Sequence, residues 1–131
     1  MATKQVIRVG KITEAEEKAR VPLSAAIKAN GFVFVSGLPP INQKTGEIAI
    51  GDIKEQTTIV LDNIRATLEA AGSSLDKVVK ATVLISNCAY FDEVNDIYRR
   101  YFPHDPPART FVTVGSWPWK FDIEIECIAL A

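Results

Sequence analysis

PPARTFVTVGSWPWKFDIEIECIALA, residues 106–131, closes the sequence with two extended runs. The first run carries Arg109 as its single charged residue. The second alternates apolar residues with three carboxylates, Asp122, Glu124 and Glu126. An alternation of period two is typical of a β-strand that buries one face. The stretch therefore predicts two strands, at about residues 109–116 and 120–130.

We expect these two strands to pair as an antiparallel hairpin across a connection at residues 116–119. A slip of one residue would move a whole apolar set into water, so the apolar side chains of both strands should face the core together. That set comprises Val112, Val114, Ile123, Ile125, Cys127 and Ala129. The same register pairs Phe111 with Glu124 and places Arg109 beside the carboxylates on the opposite face.

This opposite face has two interpretations. Cross-strand ion pairs on a solvated sheet would explain it, each contributing about 0.2–1 kcal/mol. However, Phe111 lies in the same row and the connection exposes Trp117 and Trp119, so a partner chain is expected to cover the aromatic surface. On a covered face Arg109 suits a carboxylate ligand, and a nearby glutamate can hold or activate a water. The residues alone leave both interpretations open.

The N-terminal half predicts strands and loops. A weak first strand, about residues 4–9, precedes a polar segment at residues 11–20 that we expect to be an exposed connection. Asn30-Gly31 stands between two extended runs and predicts a hairpin, because both turn residues must take positive φ. Residues 38–51 contain Pro-Pro and Gly and are expected to form a loop with a short ribbon.

Two helices and a buried strand complete the prediction. Apolar spacing predicts helices at residues 53–71 and about 90–102, and Asp52 with Glu55 resembles a capping box for the first. VVKATVLIS, residues 78–86, predicts a strand buried on both faces. The whole is expected to be one α+β domain, residues 1–131, with two helices on one face of a mixed sheet of about six strands.

Composition limits the possible partners. The 131 residues are 47% hydrophobic and 24% charged, with a net charge of −1, which argues against long disorder and against a basic surface for nucleic acid or membrane. The first residues lack an apolar signal segment, and no run approaches the roughly 20 apolar residues of a membrane helix, so we expect a cytoplasmic protein. His104, Cys88 and Cys127 lack the spacing of a metal site, and no metal is expected.

Two further positions are candidate binding residues. Asn95 lies one helical turn from Phe91 and Tyr98, which is typical of a buried amide bonded to backbone groups. Ser36-Gly37 end the run FVFVSG, where glycine permits close approach by a ligand, although a plain turn explains it equally well. Ser36 lacks a G-x-S-x-G frame, which argues against a hydrolase nucleophile.

Four segments carry a resemblance to a known family: NGFVFVSGLPPINQKTGEI, LEAAGSSLDKVVKATVLISN, FDEVNDIYRRYF, and PPARTFVTV with IEIECIA. Together, and in unbroken order from about Pro22 to Ala129, they resemble the Rid family of reactive intermediate deaminases, also called the YjgF/YER057c/UK114 family. The resemblance implies a chorismate-mutase-like homotrimer with an inner barrel and three clefts between subunits. It also implies hydrolysis of 2-imino acids and 2-amino-enoic acids to 2-keto acids and ammonia, without a metal or organic cofactor.

The resemblance also assigns roles to residues. Arg109 matches the arginine of the family's PAR motif, which holds the substrate carboxylate, and Glu124 matches the first glutamate of IEIE, which positions the attacking water. Asn95 matches a cleft asparagine. Ser36 and Gly37 match residues that line the cleft from a neighbouring subunit.

Two residues depart from the family pattern. Phe111 stands where well-studied deaminases have cysteine, and Leu23 stands where they have tyrosine. Both changes make the cleft more apolar, so we expect bulkier or more apolar imines, or amino-muconate-like intermediates. A trimeric protein that binds or senses a small carboxylate without turning it over is the alternative. A ribonuclease, an older label in this family, is disfavoured by the near-neutral charge.

Overall fold

The computed structural model describes residues 3–131. Its helices are α1 (Gly10–Lys18), α2 (Ile53–Ala70) and α3 (Phe91–Tyr101). Its strands are β1 (Gln5–Ile7), β2 (Ala26–Ala29), β3 (Phe32–Leu38), β4 (Val78–Ile85), β5 (Ala108–Thr113) and β6 (Ile123–Leu130). Short 3₁₀ turns lie at Leu75–Lys77 and Cys88–Tyr90. Residues 1 and 2 of the predicted domain lie outside the described part.

The six strands form a mixed sheet in the order β1-β2-β3-β6-β4-β5. Neighbouring strands are antiparallel except β4 and β5, which are parallel. Helix α2 packs on β3 and β6, and α3 packs beside α2. Apolar side chains from these elements form a buried core, and the predicted α+β class, with two helices on one face of a mixed sheet, is confirmed.

Local sequence signals place the first hairpin and the long helix. Asn30 and Gly31 both have positive φ, 52° and 82°, and Ala29 pairs with Phe32 across the turn. The Asp52 carboxylate caps α2 by accepting a hydrogen bond of 2.9 Å from the backbone N–H of Glu55. The hairpin and the helix are therefore confirmed.

Helix α1 corrects the expectation of an exposed connection at residues 11–20. Its first turn is closed by Thr13, whose hydroxyl accepts a 2.6 Å hydrogen bond from the N–H of Val9, and Ile12 is buried. One large apolar residue in a polar run leaves no periodic stripe, which is why the sequence pattern missed the helix. Tertiary packing of Ile12 outweighs the weak local signal.

The predicted pairing of the last two strands is wrong. β5 pairs in parallel with β4, with Arg109 opposite Ala81 and Phe111 opposite Val83. β6 instead lies between β3 and β4, with Glu124 opposite Leu84. Helix α3 is the crossover that two parallel strands require, so it carries the chain to the outer edge of β4 and leaves the inner edge for β6.

This topology separates residues that were expected to share a face. The β6 side chains Ile123, Ile125, Cys127 and Ala129 are buried beneath the helices, as predicted. Arg109 also lies on this helix-facing side, because its guanidinium contacts Asn95 and Tyr98 of α3. Glu124 alternates to the other side of the sheet. The prediction that Arg109 and Glu124 lie on one face of one chain is therefore wrong.

The side of the sheet away from α2 and α3 retains apolar surface. Phe34, Val79, Val112 and Leu130 are each at least 40% exposed. Val112 was predicted to be in the core and is not, and β4 is buried on one face, not on both. Within residues 3–131, the helices do not include one that is both long and apolar enough to cross a membrane.

We predict that Asn63→Ala destabilises the protein by about 3 kcal/mol. The Asn63 side chain is fully buried in α2, donates to the carbonyls of Pro39 and Ile41, and accepts from Gln43. Its loss leaves two carbonyls of the loop after β3 without this donor. Urea unfolding measures the change, and exposed Glu69→Ala on the same helix should alter stability by less than about 0.5 kcal/mol. Equal effects of the two variants would contradict this role of Asn63.

Candidate active site

Arg109 projects from β5 into a group of aromatic side chains. Its NH1 atom donates a 2.8 Å hydrogen bond to Oδ1 of Asn95. The guanidinium carbon lies 4.9 Å from the ring centre of Tyr98, 5.8 Å from that of Phe111 and 5.9 Å from that of Phe91. These distances are typical of cation–π contacts, which orient a cation and exclude water from around it. Asn95, Phe111 and Arg109 therefore form one half of a candidate site.

Among the described residues, the charge of Arg109 is not neutralised by a carboxylate. No ion pair among residues 3–131 includes Arg109. Asn95 is a neutral acceptor and uses one of the five N–H donors that a guanidinium carries. Donors are thus left for an anion, and a carboxylate matches the geometry of the fork.

Tyr98, the aromatic residue closest to the guanidinium, stays neutral. Burial raises the pKa of its hydroxyl to about 12, although the charge of Arg109 lowers it. The Tyr98 oxygen is buried and has no hydrogen-bond partner within the described residues. A neutral phenol leaves the positive charge of Arg109 available to a ligand.

Glu124 lies on the other side of the sheet, in the wall of a cavity of about 390 Å³. Gly37, Leu23 and Trp119 line the same cavity. A Cβ atom at position 37 would lie 2.8 Å from Oε1 of Glu124, closer than such contacts normally come. The missing side chain of Gly37 therefore makes room for the carboxylate, and Glu124, Gly37 and Leu23 form the second half of the candidate site.

Burial sets the protonation of Glu124. It raises the pKa of this carboxyl to about 7, Trp117 lowers it through a side-chain hydrogen bond, and Glu126 raises it slightly further. A carboxyl group that titrates near neutral pH can both accept and return a proton during a reaction. This is the property that a residue activating a water requires.

The remaining predicted residues have structural partners. The Ser36 hydroxyl donates a 2.6 Å hydrogen bond to the carbonyl of Ser24, and this bond ties β3 to the segment before β2. Asp122 was expected beside Arg109, but its carboxylate accepts hydrogen bonds from Ser86, at 2.8 Å, and Gln56, at 3.1 Å. Asp122 therefore has a structural role, immediately before β6.

Gln56 is a site-supporting residue that sequence reasoning missed. Its side chain is buried, and its Oε1 also accepts a 2.9 Å hydrogen bond from the N–H of Asp122. Gln56 therefore holds Asp122, the residue before β6 and two positions before Glu124. The sequence did contain a signal for Gln56, because it is a polar residue on the apolar face of α2. It lies seven positions before Asn63, which is buried on the same face.

The site residues fall into two groups on opposite sides of the sheet. Arg109, Asn95 and Phe111 are together on the helix side, and Glu124, Gly37 and Leu23 are together at the cavity, with Ser36 next to them in the chain. Within residues 3–131, no group of three or more His, Cys, Asp or Glu residues is placed to hold a metal ion. If the two groups lie in one cleft, they can support acid–base chemistry on a ligand that carries a carboxylate.

The sequence is similar to a known family model and to named relatives. Residues 13–131 match the family model described as Endoribonuclease L-PSP. A RutC family protein of Pyrococcus horikoshii is 50% identical over 89% of this chain and 93% of its own length. Reactive Intermediate Deaminase A, a chloroplastic protein of Arabidopsis thaliana, is 42% identical over 89% of this chain and 63% of its own length.

A solved structure points to the same family. YyfA of Yersinia pestis, described as a member of the conserved Rid family, is 41% identical, with a TM-score of 0.88 over 98% of this chain and 100% of that chain. The fold and the matches define a protein of the Rid class, which confirms the family resemblance and the chorismate-mutase-like fold. The chain belongs to the Endoribonuclease L-PSP family, to which the RutC and Rid proteins belong.

We predict that Glu124 makes stability depend on pH. Its pKa rises from 4.5 to about 7 on folding, so the folded state holds the proton more tightly, and this stabilisation is present below pH 4.5 and lost as the pH rises to about 7. Glu124→Gln does not titrate. The free energy of unfolding of the wild type should therefore fall relative to that of Glu124→Gln across this range.

Urea titrations at several pH values measure this difference. Burial also raises the pKa of Glu16 to about 7, but both proteins retain Glu16 and its contribution cancels. Glu14→Gln, an exposed change on α1, should reproduce the wild-type curve. Parallel curves for the wild type and Glu124→Gln would contradict the raised pKa.

Proposed function

We propose that the protein hydrolyses 2-imino acids and their 2-amino-enoic tautomers to 2-keto acids and ammonia. The observation that carries the proposal is Arg109, a guanidinium held by Asn95 and three aromatic rings without an ion-pair partner in the described chain. The name of the Arabidopsis relative supports the reaction class. We place the activity in the cytoplasm, a prediction that rests on the sequence.

The reaction requires more than one copy of the chain. Arg109 and Glu124 lie on opposite sides of the sheet, so one chain cannot offer both to the same small molecule. We propose that Arg109 of one copy meets Glu124, Gly37 and Leu23 of its neighbour in a homotrimer. The exposed apolar side chains on the free face of the sheet support a covering copy, because such surface is disfavoured in water.

The chemistry needs positioning and one proton shuttle. Arg109 binds the substrate carboxylate and thereby holds the carbon of the imine group, which is protonated on nitrogen, beside Glu124. Glu124 takes a proton from a water as the water oxygen bonds to that carbon and the C=N electron pair moves to nitrogen. The carboxyl then protonates the nitrogen and the C–N bond breaks, so that ammonia leaves. The resulting Glu124 carboxylate accepts the hydroxyl proton as the C=O bond forms, and the ammonia takes up this proton and is released as ammonium. Water is the only co-reactant, and the proposed mechanism uses no metal or organic cofactor.

Phe111 and Leu23 adjust the substrate range. Phe111 packs edge-on against Phe91, with ring centres 4.9 Å apart, so it adds an apolar ring beside the carboxylate anchor. Leu23 adds an apolar wall to the cavity of Glu124. Bulkier apolar imines, including amino-muconate-like compounds, should therefore fit better than the smallest ones.

Binding without turnover is the second candidate, because the Arg109 half of the site explains carboxylate binding without any chemistry. Thermal stabilisation by a 2-keto acid, with no acceleration of imine hydrolysis, would favour it. The family description points to RNA cleavage instead. RNA cleavage that persists in Arg109→Ala would support that activity.

We predict that Arg109→Ala lowers kcat/KM for imine hydrolysis by about 100-fold, through lost charged hydrogen bonds to the carboxylate. Glu124→Gln should lower kcat by about 100-fold and change KM less, since it removes the proton shuttle. Keto-acid release from 2-iminobutyrate, generated in a coupled assay, measures both. The exposed changes Arg99→Ala on α3 and Glu69→Gln on α2 are the matched controls and should retain activity.

We predict that mixing the two inactive variants restores activity. If Arg109→Ala and Glu124→Gln chains assemble at random in equal amounts, about a quarter of the clefts receive an intact arginine from one copy and an intact glutamate from the next. Unfolding the two variants together and refolding them should therefore recover about a quarter of wild-type activity. A site within one chain predicts no recovery, and that result would contradict the shared cleft.

A further inference from the structure

The cavity of Glu124 contains a second carboxyl group, Glu16, contributed by α1. Glu16 lines the cavity, and its Oε1 atom is buried with no hydrogen-bond partner among residues 3–131. Most of the remaining wall is apolar and includes Val21, Leu23, Ile41, Ile48 and Trp119. A polar atom buried among apolar neighbours without a partner costs free energy, and a ligand that brings a donor removes that cost.

The packing of α1 fixes Glu16 in this wall. Gly46, in the loop after β3, lies against Lys11 and Ala15 of α1. The same loop is tied to α2 through Asn63, which donates to the carbonyls of Pro39 and Ile41. The helix and the loop therefore hold Glu16 as part of a built cavity, and not as a side chain of a free surface helix.

Glu16 and Glu124 both line this cavity. Burial raises the pKa of both carboxyls to about 7, and the additional charges that raise them are Glu17 for Glu16 and Glu126 for Glu124. The two carboxyls are carried by different elements, Glu16 by α1 and Glu124 by β6. A molecule whose reacting carbon lies at Glu124 thus reaches Glu16 with a different group.

We propose that Glu16 is a specificity-determining residue that selects 2-imino acids whose apolar side chain ends in a hydroxyl or another hydrogen-bond donor. The inference rests on the proposed function, since it takes Arg109 of a neighbouring copy to hold the carboxylate and Glu124 to face the imine carbon. The side chain of such a substrate extends along the apolar wall, and its terminal donor bonds to Glu16. A hydrocarbon side chain of the same size leaves the Glu16 oxygen unpaired and binds less well.

Imines made in situ by an amino-acid oxidase from tyrosine and from phenylalanine provide the test, because they differ by one hydroxyl. For the wild type we expect kcat/KM for the tyrosine-derived imine to exceed that for the phenylalanine-derived imine by about ten-fold. Glu16→Leu should abolish or reverse this ratio, and Glu16→Gln, which keeps an acceptor, should retain most of it. Glu14→Leu, an exposed change on the same helix, is the matched control and should leave the ratio unchanged.

The outcomes separate this inference from the proposed function. A wild-type ratio near one, or a ratio that Glu16→Leu leaves unchanged while thermal unfolding shows a folded protein, overturns the role of Glu16 alone. No acceleration of either imine or of 2-iminobutyrate by the wild type overturns the proposed function and this inference with it. A lost ratio in Glu16→Leu with a retained ratio in Glu16→Gln supports the assignment.

Discussion

The position of β6 between β3 and β4 is the constraint on which the candidate site depends. Side chains alternate along every strand, so this position directs Ile123, Ile125 and Cys127 to the core and Glu124 to the opposite side. β5, placed on the outer edge of β4 by the α3 crossover, directs Arg109 toward the helices. The cation and the carboxyl that could share a substrate are thus held apart by the thickness of the sheet. In the proposed function, the complete site is therefore formed between two copies of the chain.

Each half of the candidate site has the groups for one proposed role, anion binding by Arg109 or proton transfer by Glu124. Arg109 is positioned by a neutral amide and aromatic rings, so its charge is oriented and still available. Glu124 is desolvated in an apolar cavity, and its proton affinity is matched to neutral pH. Gly37 provides the space for that carboxylate, and Gln56 with Asp122 anchors the strand that carries it. An assembled cleft would bring an anion site and a proton acceptor together.

Sequence patterns predicted the elements better than their arrangement. The Asn30-Gly31 turn and the Asp52 cap have local causes, so the hairpin and α2 were predictable. The β4–β5 pairing joins segments that are distant in the sequence. The alternating pattern of β5 predicts which of its faces is apolar, but it fits a pairing with β4 as well as a hairpin with β6. Helix α1 was missed because it has one large buried apolar residue, Ile12, which leaves no periodic apolar stripe in the sequence.

For the candidate site too, the sequence predicted the residues better than their arrangement. Arg109, Glu124 and Asn95 were identified as candidates from their residue types and the family resemblance, and the structure joins Arg109 to Asn95 directly. Their separation into two halves depends on strand order, which no local pattern contains. Glu16 lies in a segment that the sequence predicted to be exposed. Its Oε1 atom is buried because α1 and the loop after β3 form walls of the same cavity.

A crystal structure of the protein in its solution assembly, with a stable 2-keto acid bound, tests the shared cleft most directly. We expect the ligand carboxylate within about 3 Å of the Arg109 guanidinium of one copy and the keto carbon beside Glu124 of the neighbouring copy. A ligand bound by residues of one chain alone, or Arg109 facing solvent in a monomer, would contradict it.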